Sequence, residues 1–305
     1  MLTRSRAALG VTALIAVGAL SLSACSSSGN SGDTSGNSGD KLASTTAASG
    51  ASALHNQLPG AIKSSGKVIV GVNVPYAPNE YVDDSGKVVG FDVDLLDATL
   101  KVLGVSADYR QEANFDSIVP KVSSGTYDLG MSSFTDTKER EATDDFVDYL
   151  TFGEQWAAPI GKTVEPTNAC GLTVSVQSGT TELDTLNSLS KKCTEAGKAK
   201  IKIKSFDSQD DATNALVLGT VDAMTADSPI TAYAVSLNKD KIQLAGGLAN
   251  TAQYGWAVAK GSALTDVLKQ ALQQIIDDGT YASVLQKWGL TSGAIKTATI
   301  NGAQS

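Results

Sequence analysis

The residues able to do chemistry in this chain gather at three points where a β-like run gives way to a helix-like one. Ser132-Ser133-Phe134-Thr135 follows one run and leads to Arg140. Ser178-Gly179-Thr180-Thr181-Glu182 follows a second, and Thr225-Ala226-Asp227-Ser228-Pro229 a third, its proline suited to a first helical turn. Hydroxyls, the free N–H groups of a helix N-terminus and a planar guanidinium are donors matched to a carboxylate. A carboxylate such as Asp227 matches an ammonium. Together the three junctions fit a zwitterion.

Other chemistries lack material. The chain has one histidine, His55, beside a low-complexity stretch, so Ser-His and Cys-His nucleophiles and histidine-based metal sites are not expected. No catalytic residue, metal or cofactor is expected either. Lys+Arg 24 against Asp+Glu 32 gives a formal charge of −8, which offers no footprint for nucleic acid or an anionic lipid surface.

Residues 1–24 read as an export signal: Arg4 and Arg6, then an apolar run from Val11 to Leu22 too short to span a bilayer. The run ends in Leu22-Ser-Ala-Cys25, which resembles a bacterial lipobox and implies cleavage before Cys25 and lipidation of its thiol; a plain secretory signal is the alternative. Residues 25–57 are dominated by Ser, Gly, Thr, Asn, Asp and Ala, a composition that cannot order itself by apolar burial, and read as a tether. Export places Cys170 and Cys193 in an oxidising compartment, which favours a disulfide over two free buried thiols. A loop of that length is worth roughly 3 kcal/mol in the chain-entropy model.

The elements that must position the three junctions lie between about Leu58 and Leu290. Strands are expected at Lys67–Val72, Asp128–Ser132, Gln155–Ile160, Leu172–Gln177, Ile201–Phe206, Val221–Ala226 and Tyr254–Ala259, with helical patterns between them. One helix is expected to start at Asp92 as N-cap, to bury Leu95, Leu96, Leu100 and Leu103, and to stop at Gly104, leaving Asp94 as a solvated first-turn acid. Alternation of this kind makes an α/β protein with mostly parallel sheets, whose ligands sit beyond the carboxyl ends of strands.

The ordered set Gly90-Phe-Asp-Val-Asp-Leu95, Phe115-Asp-Ser-Ile-Val-Pro120, Ser133-x-Thr135 with Arg140, Gln177-Ser-Gly-Thr-Thr181, Ala215-Leu-x-x-Gly-x-Val-Asp222 and Asp278-Gly-Thr-Tyr281 with Lys287-Trp-Gly289 resembles the amino-acid-binding solute-binding proteins of family 3, which serve ABC importers. The resemblance implies a periplasmic-binding-protein-like fold of two α/β lobes joined by two crossover strands around a ligand cleft. It places lobe 1 at 58–158 plus 253–290, lobe 2 at 159–252, and a tail of open role at 291–305. It further implies a lipid-anchored monomer outside the membrane that captures a free amino acid and delivers it to permease subunits.

Carried over by position, Arg140 would grip the ligand α-carboxylate with Thr135 and the Thr180 helix N-terminus, Ser133 would meet the α-ammonium, and Asp227 would supply its counter-charge. Tyr76 and Phe115 would enclose the side chain. Asn79, in place of a frequent aromatic, and the neutral Gln177 leave specificity open. Taken alone, Arg140 reads as a solvated helix residue, Asp227 as part of a helix-entry turn, and the two aromatics as core. A ligand-sensing lipoprotein without transport and a dehydratase on the same fold are the alternative functions; for the latter, Glu80 is the available carboxylate.

Overall fold

The β-branched run of β1 (Lys67–Asn73) forms a strand with Val68, Val70 and Val72 fully buried on one face, while on the other Lys67 and Ile69 are exposed and Gly71 and Asn73 buried. The computed structural model describes residues 53–304. After a short hairpin of β2 (Tyr81–Val82) and β3 (Val88–Val89), a helix spans Phe91–Val102 and buries Leu95, Leu96 and Leu100. Gly104 ends it at a φ of 67°, as its sequence position implies. The helix begins at Phe91 with Gly90 as N-cap, two residues earlier than expected, and this moves Asp92 onto its buried face.

Strands β4 (Ser106–Glu112), β1 and β5 (Leu129–Gly130) run parallel and form one half of the sheet. In the other half, β7 (Thr173–Gln177) pairs in parallel with β8 (Lys202–Phe206) and β9 (Ala223–Asp227). Between them lie two long strands, β6 (Asp144–Pro159) and β10 (Ile242–Ala259), antiparallel to each other and extending across both halves. The full order is β4-β1-β5-β10-β6-β9-β7-β8, with β11 (Thr299–Ile300) added on β6. The sheet is therefore mixed, and the expectation of mostly parallel strands fails at its centre. The β6–β10 register shifts between Ala245 and Ala249, between Ala249 and Ala252 and between Tyr254 and Gly255, where the strands pass from one half to the other.

Each half carries its own core. Val70, Leu96, Trp256, Leu268 and Leu285 belong to the first, with the helices Phe91–Val102, Ala263–Asp277 and Thr280–Trp288 packed together on it. Trp156, Val174, Val176 and Leu186 form one layer of the second, and Leu216, Met224 and Ile230 the other. This is an α/β fold of two lobes. The bridge between Cys170 and Cys193, with Cα atoms 5.6 Å apart, ties the loop before β7 to the end of the helix Thr181–Glu195. The favoured reading of the two thiols holds.

Candidate functional site

The ends of β1, β5, β7 and β9 bring the three junctions to one small, largely closed pocket. Tyr76, Phe115, Ser133, Thr135, Arg140, Thr180 and Asp227 all line it, as does Gln177. Asn73, Ser132, Thr181 and Glu182 line it too, and sequence reasoning gave them no role.

Four polar contacts close the two lobes over this cavity. Tyr76 Oη donates to Asp227 Oδ2 at 2.6 Å, Gln177 Nε2 donates to Asn73 Oδ1 at 2.9 Å, and the hydroxyls of Thr135 and Thr181 meet at 3.2 Å. The fourth is Arg140, whose Nη1 donates to Thr135 O at 2.8 Å in its own lobe and whose Nη2 donates to Gly179 O at 3.2 Å in the other. Its guanidinium lies 5.8 Å from the Phe115 ring centre and 5.7 Å from that of Phe134, and these two rings stack on each other. A solvated helix residue would make none of these contacts. Phe115 serves both as cavity wall and as part of a small core with Phe134 and Ile118.

Local sequence explains the setting of each group. Thr137 caps the single turn Lys138–Glu141 by accepting from Arg140 N, and so fixes the backbone beneath the guanidinium. Thr180 caps the helix Thr181–Glu195 by accepting from Leu183 N, while its own hydroxyl donates to Gln177 O. The hydroxyl offered across the cleft is therefore that of Thr181.

Ser133 has φ of 50°, a left-handed conformation that costs a non-glycine residue of order 1–3 kcal/mol and persists only where neighbours over-determine it. Asp92 does so: its Oδ2 accepts from both Ser133 N and Ser133 Oγ at 2.9 Å. Asn79 Nδ2 donates to Ser133 Oγ at 2.8 Å, and Ser132 Oγ donates to Glu80 Oε1 at 2.7 Å. Asp92 is thus no helix cap, and Asn79 no aromatic's stand-in against a ligand; both sit behind the cavity wall, fully buried. Glu80 is equally buried and outside the cavity lining. Burial and the charge of Asp92 hold Glu80 well above the carboxylate range, and burial pushes Asp92 up to about 6, so the pair keeps a proton between them. Asp94 is half-buried and accepts from Lys287 Nζ and Trp288 Nε1.

The opposite wall is acidic. Burial raises Asp227 to about 6, with the charge of Glu154 adding to the effect and hydrogen bonds from Glu182 and Tyr76 opposing it. Burial and the charge of Asp227 hold Glu182 well above the carboxylate range. Glu154, on β6, is satisfied from behind by Trp156 Nε1, Thr225 Oγ1 and Asn250 Nδ2. Burial lowers Arg140, while Glu182 and Asp227 favour its charged form. Among the residues lining the cavity, two carboxylates face one guanidinium.

A family model described as bacterial extracellular solute-binding proteins, family 3, matches residues 68–291. The chain belongs to that family. Among its relatives, the arginine-binding protein ArgT of Corynebacterium glutamicum is 38% identical over 247 residues, which cover 80% of this chain and 81% of that one. Two solved structures share the fold of this family member with a TM-score of 0.67 each. One is an ancestral arginine-binding protein bound to arginine, 31% identical over 73% of this chain and 98% of its own. The other is the ancestral amino acid-binding protein AncCDT-1, a precursor of cyclohexadienyl dehydratase, 30% identical over 75% and 97%. Among the described residues no helix is long and apolar enough to cross a membrane. Cys25 and the export signal lie outside the described residues.

Proposed function

We propose that this protein is the receptor of an ABC importer for a cationic amino acid, with arginine as the ligand. The observation that carries the reading is the make-up of the pocket: two acidic groups, Glu182 and Asp227, meet one guanidinium, Arg140, and burial beside Asp227 favours the neutral form of Glu182 without ligand. An unpaired buried charge is costly. A ligand with two cationic groups and one carboxylate lets both acids ionise, each beside a cation, whereas a zwitterion offers a partner to only one of them. The names of the relatives agree with this chemistry.

In this reading Arg140, with the hydroxyls of Thr135 and Thr181, takes the α-carboxylate, Asp227 and Ser133 take the α-ammonium, and Glu182 answers the second cation. Tyr76 and Phe115 pack along the aliphatic stem. Three charge-assisted bonds of roughly 1.5–3 kcal/mol each account for most of the about −8 kcal/mol of micromolar capture. Lobe 1, residues 58–158 plus 253–290, and lobe 2, residues 159–252, close on the ligand because its contacts to both exist only in the closed state. No bond is made or broken, so the protein is a carrier and not an enzyme. Lipidated Cys25 and the tether hold the monomer at the outer face of the membrane, within reach of the permease.

A thermal-shift panel of the common amino acids tests the reading, since a ligand bound only by the folded state raises stability by mass action. Arginine is expected to give the largest upward shift, with other cationic amino acids next. A panel with no shift, or one led by acidic or aliphatic residues, refutes it.

A further inference from the structure

We infer that the C-terminal segment Thr299–Ala303 is a strap that positions the Arg140 clamp for the ligand carboxylate. The inference rests on the assignment of Arg140 above, and the segment lies beyond the 68–291 stretch shared with the family.

Arg140 sits on a helix of four residues, Lys138–Glu141. A single turn fixes more backbone freedom than its one hydrogen bond returns, so its place must be set by contacts from outside. β10 supplies some, with Asp136 N donating to Gln253 O at 2.9 Å, and the strap supplies the rest. Ala303 N donates to Asp136 Oδ2 at 3.1 Å, just before the turn, and to Glu141 Oε1 at 3.0 Å, at its end. The strap is itself fastened to β6: Thr299 and Ile300 pair with Asp148 and Val147, and Asn301 exchanges bonds with Phe146 and Asp145. Thr299 Oγ1 and Gly302 N both donate to Asp148 Oδ2, at 2.7 and 3.1 Å. The approach at Gly302 is so close that a Cβ there would collide with the same carboxylate.

The chemistry explains why the clamp depends on it. Asp136, Glu141 and Asp148 converge at one place, with Asp136 and Asp148 buried. Lys138 bonds Glu141, and Lys260 Nζ donates to Glu141 O. The strap supplies donors to all three carboxylates. Without them, the buried carboxyl groups of Asp136 and Asp148 lose their donors at the base of the turn, and the turn moves outward with Arg140 on it. Thr135, whose carbonyl holds the guanidinium, is bridged to Tyr254 of β10 and stays, so the turn moves away from its carbonyl.

Two variants test this in the otherwise full chain: one ending at Ala298, and Ala303→Pro, which removes only the bridging N–H. Hydrogen exchange of the ligand-free protein reads the positioning directly. Protection across residues 135–141 is expected to fall at least about tenfold in both variants, with β7 and β8 unchanged. Calorimetry with arginine and with agmatine, its decarboxylated analogue, reads the consequence. Arginine affinity is expected to fall tenfold or more and agmatine affinity less than threefold, because agmatine has no carboxylate to clamp. Unchanged exchange at 135–141 in Ala303→Pro, or equal losses for the two ligands, overturns the inference. If the unmodified protein fails to bind arginine, the functional reading falls while the exchange measurement still decides the strap.

Discussion

Replacing Gly179 with alanine separates folding from closure. Gly179 has φ of 74°, where an L-residue carries a penalty of roughly 1–2 kcal/mol, and that cost is present whether the lobes are apart or together. A second cost exists only when they meet. A Cβ at position 179 would lie 2.7 Å from Cβ of Asp116 in the facing lobe and 3.4 Å from its Cα. Relief requires the lobes to part locally by several tenths of an ångström, and the Arg140 Nη2 to Gly179 O bond, already 3.2 Å, passes out of hydrogen-bonding range. One charge-assisted bond is worth about 1.5–3 kcal/mol, or roughly 10–100-fold in affinity. Thermal unfolding without ligand should therefore show a loss of about 1–2 kcal/mol. Calorimetry with arginine should show affinity lower by the 10–100-fold just derived. Adding Asp116→Gly removes the colliding atom, so the double variant should regain affinity and keep the stability loss. Wild-type affinity in Gly179→Ala, or no recovery in the double variant, would refute the argument that contact between these lobes contributes to binding.

Arg140→Lys keeps the charge but loses the fork that reaches Thr135 O, Gly179 O and a carboxylate at once, so arginine affinity should drop by about tenfold or more while the fold survives; calorimetry at unchanged affinity would show a point charge to be enough. Ligand-free stability should rise as pH falls from about 8 toward 5. Asp136 is raised to about 8, chiefly by burial, and Asp92 and Asp227 to about 6, all above the unfolded value near 3.8. The folded state therefore binds protons that the unfolded chain releases, and the stability they confer is lost as pH rises through those values. Melting temperatures that climb steadily from pH 5 to pH 8 would contradict this. Cys170 and Cys193 should be unreactive to a thiol reagent after denaturation without reductant; stoichiometric labelling of both would deny the bridge.

The three junctions were legible because their residue types are unusual where strands end: a hydroxyl pair with an arginine, a Gly-Thr-Thr turn, and an Asp before Ser-Pro. The chain needed only to fold as α/β for them to converge. Asp92 was misread for a local reason, since an acid just ahead of an apolar helical stripe is the pattern of a cap. What decides its fate is non-local. Gly90, packed tightly against the backbone of Asn79, takes the cap position two residues sooner, and Ser133, 41 residues on, claims the carboxylate.

Glu182 carried no signal because a first-turn acid is ordinarily solvated. Its burial arises only from the fold of lobe 2, which sets the start of the helix Thr181–Glu195 beside Asp227 at the end of β9. Strand β4, Ser106-Ala-Asp-Tyr-Arg-Gln-Glu112, was missed because an edge strand need not be apolar, and pairing with β1 alone specifies it. In β10, Gly246, Gly247 and Asn250 read as breakers, yet the strand continues through them with shifted register along β6. The tail offers the first core only scattered apolar residues, Ile295, Ala298 and Ile300, too few to mark an element in sequence. Its order comes from donors offered to carboxylates far away in sequence.

The charge count of the cavity is tested most directly by calorimetry of arginine against citrulline, which has nearly the same shape but a neutral ureido group. At pH 8, with the unmodified protein, arginine should bind at least tenfold more tightly, a difference of about 1.4 kcal/mol or more, because only arginine brings the second cation that Glu182 and Asp227 together require. Citrulline binding as tightly as arginine would contradict the account.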